Sequence, residues 1–501
     1  MTRLSALCLL APLVLSACGG GRATTPPASP SPVVAGPRPL GLQPLAISHV
    51  TVVDARSGRL IPDQTVVVAG GRISDVAPAA RARVPGDALV VDGSGKYLMP
   101  GLWDMHAHLR SRSAPTVEMP LLLAHGVTGV REMASDCRPP ARAGDICLGE
   151  MRQRQQQVEA GELAGPRLLA LGSWIVEGRR APGDTAPRFF DAATADDARQ
   201  LARYLAERKV DFIKVYSAIP REGFFALVSE ARRLGLPVVG HEPLAASAVE
   251  LSDAGMRSVE HARVFLFDCW RGAAELRLKG IPQGSGTALY RRMVDEYDPA
   301  LCDPAFRAFV RNGTWYVPTH LTRRTEAYAA DSAMRRDARS KYIPRGKWFA
   351  WNADMGRTDA SDSSREGRQA RMDFYTKGLE ITGAAHRAGV RILLGTDAGD
   401  SYIFPGWSVH EELSELVRAG LSPAEALVAA TWSGAEFLGR TADFGSVERG
   451  KVADLLLLDA DPLADIRNSR RIAAVVFGGR YLDRAALDAL LAGAERAAAG
   501  Q

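Results

Sequence analysis

Between residues 98 and 400 the chain repeats one theme eight times: a short apolar run, followed in several cases by a polar stretch with helical periodicity. The runs open at "LMPGLWDMHAH", "GVTGVREMA", "PRLLALGSW", "DFIKVYS", "PVVGHEP", "SVEHARVF", "WYVPTHL" and "RILLGTDAG". Stretches such as "TADDARQLARYLAERK" and "EGFFALVSEARRLG" space their apolar residues as one face of a helix does. Strands that read as continuous apolar runs are buried on both faces, the condition of a parallel sheet covered by helices. Eight such units predict an α/β fold, a (β/α)8 TIM-like barrel over residues 98–439. A doubly wound open sheet is the alternative.

The chain ends carry a different pattern. Short β-rich runs separated by glycine turns fill residues 45–97 ("AISHVTVVDARSG", "QTVVVAGGRISDVAP") and return at 440–485 ("GSVERGKVADLLLLDADP", "IAAVVFGGRYL"). They predict a small β-sandwich domain assembled from both ends, with the barrel inserted between them. Two stretches, 267–313 and 323–370, exceed ordinary connection lengths and read either as lids and binding loops or as solvated elaborations.

Ahead of this, Arg3 precedes "LSALCLLAPLVL", too short to span a bilayer and followed by "LSAC". Residues 1–17 are read as an export signal. The "LSAC" stretch resembles a bacterial lipobox, which makes Cys18 the lipidated first residue of the mature protein. Gly19 in the next position favours the outer membrane, facing the periplasm. Residues 18–44, rich in Gly, Pro, Ser and Thr, read as a disordered tether. In an exported protein disulfides persist, and Cys137 with Cys147 and Cys269 with Cys302 are possible pairs, although sequence does not fix connectivity. The 62 basic and 57 acidic residues are interspersed, so no nucleic-acid partner is expected.

The chemistry starts with His106 and His108 at the end of the first run. Side chains two apart on a strand point to one face, so both imidazoles can converge inside a barrel mouth, a common beginning for a metal site. Lys214, His241, His261 and Asp397 fall at the ends of later runs, where barrels of this class place their active sites. Other histidines read as structural: His125 and His386 at helix C-termini, against the dipole, and His49 in the small β-domain. Arg263, Arg323 and His410 are weak candidates.

The motif "PGLWDMHAHL", the single histidines His241 and His261, "GTDAG" and the late "SVERGKVADLLLLDADP" resemble the amidohydrolase superfamily of metal-dependent hydrolases. "VEAGELAGPRLLALGS" and "HEELSELVRAGLSPAEALVAAT" resemble its branch containing imidazolonepropionase and Xaa-Pro dipeptidase-like enzymes. The resemblance implies two divalent ions, with zinc the best match to the donors: His106, His108 and Asp397 around one, His241 and His261 around the other, and Lys214 bridging as a carbamate. It further implies attack of a metal-bound hydroxide on an amide carbonyl, with Asp397 as the catalytic proton carrier. The substrate is then a dipeptide or N-acyl amino acid, contacted by Tyr216 and His320. A mononuclear cyclic-amide or lactone hydrolase is the alternative, and a non-catalytic envelope binding lipoprotein the reading from another class. One departure stands out: "GHEPLA" replaces the "HAHG"-like motif of the dipeptidase relatives, placing Glu242 and Pro243 beside His241.

Overall fold

The computed structural model describes residues 43–142, 144–179, 185–280 and 286–500. The export signal, Cys18 and all but the last two residues of the tether lie outside the described residues. Eight parallel strands follow one another round a single sheet in sequence order: β1 (Leu102–Ala107), β2 (Val127–Glu132), β3 (Arg167–Val176), β4 (Phe212–Val215), β5 (Val238–Gly240), β6 (Ser258–Glu260), β7 (Trp315–Val317) and β8 (Arg391–Ile392). A doubly wound sheet would reverse its order at a switch point; this one does not. Beyond β8 the chain returns to β1, where Met105 N donates to Leu394 O (2.9 Å), Asp397 N to His106 O (2.7 Å) and His108 N to Ala398 O (2.8 Å). The result is a TIM-like barrel.

The helices form where the sequence periodicity places them. In Ala195–Glu207 the buried residues Ala198, Leu201, Ala202 and Leu205 recur on one face, and the Thr194 hydroxyl caps the N-terminus by accepting from Asp197 N. The same logic buries Phe224, Leu227, Val228 and Ala231 of Arg221–Arg233. Strand register carries the site: Val239 of β5 lies opposite Lys214 of β4, so the residues that follow β5 sit beside the lysine.

The chain ends build one mixed sheet. Strands Leu45–Asp54, Arg59–Ala69, Arg72–Pro78 and Tyr97–Pro100 join Leu455–Leu458, Ile472–Phe477 and Arg480–Asp483 in a continuous hydrogen-bonded path, and Leu89–Asp92 pairs with Leu45–Asp54 off it. The β-sandwich expectation is corrected here: Leu455–Leu458 pairs antiparallel with Tyr97–Pro100, so the two ends merge into a single sheet rather than stacking as two. Its apolar face includes Val52, Val66, Val68, Leu98, Leu455, Leu457 and Val476.

Both long insertions are helical. After β6 come Val264–Asp268, Ala273–Lys279, Gly286–Asp295 and Asp303–Asn312, tied by a Cys269–Cys302 disulfide; Cys137 and Cys147 form a second. After β7, helix Arg345–Ser361 packs Trp351 and Met355 against Tyr402 and Phe404 of the loop beyond β8. Tyr402 Oη donates to Asn352 Oδ1 (2.9 Å) and Ser401 Oγ to Asp354 Oδ2 (2.8 Å). This insertion braces the loop that carries Asp397. Among the described residues no helix is long and apolar enough to cross a membrane.

Candidate metal centre

At the C-terminal mouth of the barrel a cleft of about 560 Å³ is lined by His106, His108, Lys214, His241, His261 and Asp397, among others. The two-residue alternation of β1 delivers both histidines of "HAH" to this face. His108 Nε2 lies 3.1 Å and His106 Nε2 3.5 Å from Asp397 Oδ1, and the three donor atoms fall within 4.8 Å of one another. Separations of this size are those of neighbouring donors around one ion with bonds of about 2.0–2.2 Å. Lys214 Nζ sits 3.3 Å from His106 Nε2. On the other side, His241 Nε2 and His261 Nε2 are 2.9 Å apart.

Backbone geometry aims several of these groups. His261 and Asp397 both adopt left-handed φ, 76° and 65°, a costly conformation for residues with a Cβ and one that concentrates at functional sites. Gly395, two residues before Asp397, lets the chain beyond β8 press against β1: a Cβ there would lie 2.7 Å from His106 Cβ.

A second layer holds the first. Glu260, fully buried on β6, accepts from His106 Nδ1 (2.9 Å), and Arg131 Nη2 donates to both of its oxygens (2.9 and 3.0 Å). Arg131 also donates through Nε to Met105 O (2.5 Å) and through Nη1 to Ser258 Oγ (3.0 Å). Because Glu260 only accepts, His106 carries its proton on Nδ1 and turns a lone pair on Nε2 to the cleft. Asp104 ties β1 to the returning strand by accepting from Thr396 Oγ1 (2.6 Å), Thr396 N (3.0 Å) and His106 N (3.1 Å).

The electrostatics favour a cation between these groups. Burial, with the nearby Lys214 ammonium, pushes His106 down to about 4. Burial likewise pushes Lys214 down to about 8 and holds His241 and His261 well below the usual imidazole range. The imidazoles of His106, His241 and His261 are neutral donors, and the Lys214 ammonium gives up its proton more readily than an ordinary lysine. For Asp397, burial opposes ionisation, but the surrounding imidazoles of His106, His108 and His261, with a hydrogen bond from His108, outweigh it and hold its carboxyl well below its ordinary value. The same pair raises His108 against the opposing effect of burial. Glu260, despite its burial, is held down at about 2 by Arg131 and His106. Three imidazole-rich strand ends, one carboxylate and a depressed lysine fit a divalent ion.

Of the expected substrate contacts, Tyr216 lines the cleft and stacks on His241, ring centroids 3.7 Å apart. His320 does not. The chain turns at Thr319 (φ 41°), placing Thr319 Oγ1 2.8 Å from His261 Nδ1, and His320 opens helix His320–Ala327 instead. Its ring is buried away from the cleft, without a hydrogen-bond partner among the described residues. The weak candidates Arg263 and Arg323 both line the cleft, joined by Asp400. His410 lies elsewhere, held between Ser469 Oγ and His125 O. His125 caps helix Glu118–Ala124 as expected, through Nδ1 to Leu121 O (2.7 Å). Burial pushes its pKa down to about 4. His386 ends helix Arg365–Arg387 beside Glu425 (3.0 Å), and His49 pairs with Asp63 in the end sheet.

Sequence reasoning passed over Glu260, Arg131 and Asp104. The available signal was cost: charged residues inside apolar runs ("SVEHAR", "GVREMA", "LWDMHAH") are expensive to bury unless paired.

The family described as "Amidohydrolase family" matches residues 97–482. An uncharacterized protein of Mycobacterium tuberculosis is 26% identical over 414 residues, 80% of this chain and 88% of its own length. An imidazolonepropionase of Methylobacterium nodulans is 25% identical over 434 residues, 83% and 92%. Among solved structures, bottromycin amidohydrolase superposes with a TM-score of 0.69 at 24% identity, covering 91% of this chain and 90% of its own. A Xaa-Pro dipeptidase with bound methionine gives 0.62 at 19% identity, covering 88% and 100%; both share the fold. The chain belongs to the amidohydrolase family, as a hydrolase acting on carbon–nitrogen bonds.

Proposed function

We propose that this protein is a metal-dependent hydrolase of amide bonds in dipeptides or N-acyl amino acids. The observation that carries the reading is the convergence of His106 Nε2, His108 Nε2 and Asp397 Oδ1 within 4.8 Å of one another, backed by Glu260 holding the His106 proton on the far nitrogen. In this reading His106, His108 and Asp397 hold one divalent ion, zinc suiting the donors. His241 and His261 would hold a second, and Lys214, once its amine takes up carbon dioxide and loses a proton to give a carbamate, would be a further ligand. Bound ions supply Lewis acidity toward a carbonyl and acidify water to a pKa of about 7.

The chain's own groups do the rest. Asp397, ionised through its histidine contacts, accepts a proton from the attacking water and returns it to the leaving nitrogen. Its Oδ2, 3.8 Å from His261 Nδ1, is less engaged than Oδ1 and is the proton-carrying atom. The Tyr216 hydroxyl, kept protonated by burial, donates to the substrate's carbonyl or carboxylate. Arg323, also on the cleft wall, favours a substrate carrying a carboxylate.

Lipid attachment at Cys18 and residence in the bacterial envelope belong to the same proposal; the two disulfides support an oxidising compartment. The test is hydrolysis of a panel of dipeptides and N-acyl amino acids at neutral pH. Turnover should vanish after chelation and return with zinc. Turnover indifferent to chelation refutes the reading, and turnover confined to cyclic amides moves it to the lactam-type alternative.

A further inference from the structure

A second cavity adjoins the metal cleft. Between the loops that follow β1 and β2, an annex of about 480 Å³ is lined by Arg110, Arg138, Arg142, Asp145, Trp174 and Ile175, among others. Ile175 lines both spaces, and it stands opposite Lys214 in the pairing of β3 with β4. Neighbouring strands lie about 4.8 Å apart and successive side chains of a strand point to opposite faces. One exposed isoleucine therefore forms the crest between the annex and the cleft, a single strand away from the lysine.

The annex is cationic. Arg110 Nη1 donates to Asp136 O, which holds the side chain against the β2 loop without giving it a carboxylate. Arg142 makes no ion pair among the described residues; Asp145 accepts instead from its backbone N (2.8 Å). Arg138 is matched by Asp191 (2.6 Å), so two guanidiniums face Asp145 alone. Trp174 adds a donor to the wall. It is 5% exposed, its ring packs on Phe190 and Tyr204, and its Nε1 has no acceptor among the described residues. A buried N–H without an acceptor is costly, and a carboxylate suits guanidinium and indole N–H alike.

Arg323 stands on the far wall of the cleft. It follows β7, four strands from β3 in a barrel of eight, so the annex and Arg323 flank the metal-binding residues from opposite sides. We propose that the annex is a subsite for a second carboxylate, carried on the acyl side of the scissile bond while the carboxylate of the leaving amino acid turns to Arg323. The proposal rests on the amide-hydrolase reading above and narrows its substrates to dipeptides with an acidic amino-terminal residue or amino acids acylated by a dicarboxylic acid. What these share is a carboxylate a few carbons beyond the scissile carbonyl. Arg110 and Arg142 determine the specificity.

The test uses the zinc-loaded, full-length chain. Titration calorimetry compares glutarate with pentanoate, which matches it in carbon count and lacks one carboxylate. Glutarate should bind at least about tenfold more tightly; Arg142→Glu should abolish that preference and Arg110→Met should weaken it. A parent without the preference, or a preference that survives in Arg142→Glu, overturns the proposal. Because Arg142 is exposed, its variant decides the matter even if Arg110→Met fails to fold. Hydrolysis then separates the two substrate sources: Glu-Ala is compared with Gln-Ala, and N-glutaryl-alanine with N-pentanoyl-alanine. A kcat/KM at least about tenfold higher for the acidic member of either pair supports the proposal and identifies the source, and equal values within both pairs overturn it. If none of the four is turned over while the arginine-dependent glutarate preference stands, the amide-hydrolase reading falls and the annex remains a dicarboxylate site.

Discussion

Replacing Glu260 by Gln removes one charge and almost no volume, which isolates what the carboxylate does. Its Oε1 accepts from Ser258 Oγ (2.6 Å) and Arg131, and its Oε2 from His106 Nδ1 and Arg131. An amide nitrogen in either place would face donors. Breaking a buried ion pair from one side costs about 3–5 kcal/mol. Arg131 keeps Met105 O and Ser258 Oγ as acceptors, so the lower half of that range, about 3–4 kcal/mol, is expected for Glu260→Gln. If the new amide nitrogen faces His106, the imidazole proton is driven to Nε2 and the lone pair leaves the cleft. Zinc affinity should then fall about 10–100-fold.

Urea unfolding of the metal-free proteins measures the first effect, and competition with a chromophoric chelator the second. The double variant Arg131→Met/Glu260→Gln removes the orphaned charge and should regain part of the stability without regaining zinc affinity. A Glu260→Gln protein within about 1 kcal/mol of the parent, with unchanged zinc affinity, would refute the claim that this pair supports the centre.

Other expectations follow from the same contacts. Burial pushes both His320 and His410 down to about 3, below the value near 6.5 in the unfolded chain, so acidification protonates the unfolded state first. Stability should be intact above pH 6.5 and fall below it by about 1.4 kcal/mol per pH unit for each ring; urea midpoints that stay flat from pH 6.5 to 5 contradict this. Gly395→Ala would place its Cβ 2.6 Å from Val317 Cγ1 and 2.7 Å from His106 Cβ, so the overpacking should cost about 1–3 kcal/mol and weaken zinc binding; a neutral result in both assays argues against a tight β1–β8 contact. Removing the Cys269–Cys302 disulfide, which spans 33 residues, by a double serine replacement should lower stability by about 3–4 kcal/mol on the loop-entropy estimate, read as a shift in the urea midpoint. His320→Ala should leave KM unchanged, since the ring is outside the cleft; a large rise in KM would restore it as a substrate contact.

The barrel was readable because each strand is a largely apolar run, and the residues converging at its mouth were readable because the strand period of two and the strand-end positions place side chains without knowledge of the turns. His320 was misjudged for the complementary reason. The strand ends at Val317, and a left-handed Thr319 reverses the direction of the next side chain, which no periodicity encodes. Glu260 and Arg131 meet across β2 and β6, 129 residues apart in the chain, so their pairing depends on barrel closure. Arg263 was visible as a residue near the mouth, but its approach to His241 Nδ1 (2.6 Å) and Glu242 Oε1 (3.2 Å) is set by the turns after β5 and β6. The end sheet was legible as strands and not as a single sheet, since pairing of Tyr97–Pro100 with Leu455–Leu458 is a matter of register.

That last pairing also imposes an order on synthesis. The strand Tyr97–Pro100 runs directly into β1, and its neighbour Leu455–Leu458, with the Gly101 N to Asp454 O bond (2.9 Å), holds the base of the segment bearing His106 and His108. That neighbour leaves the ribosome roughly 350 residues later, on the order of tens of seconds at about 5–20 residues per second. Throughout that interval the nascent chain carries its histidine pair just beyond a strand, Tyr97–Pro100, with one edge unpaired, so a chain cut short before residue 455 would lack the brace for a site encoded near its beginning.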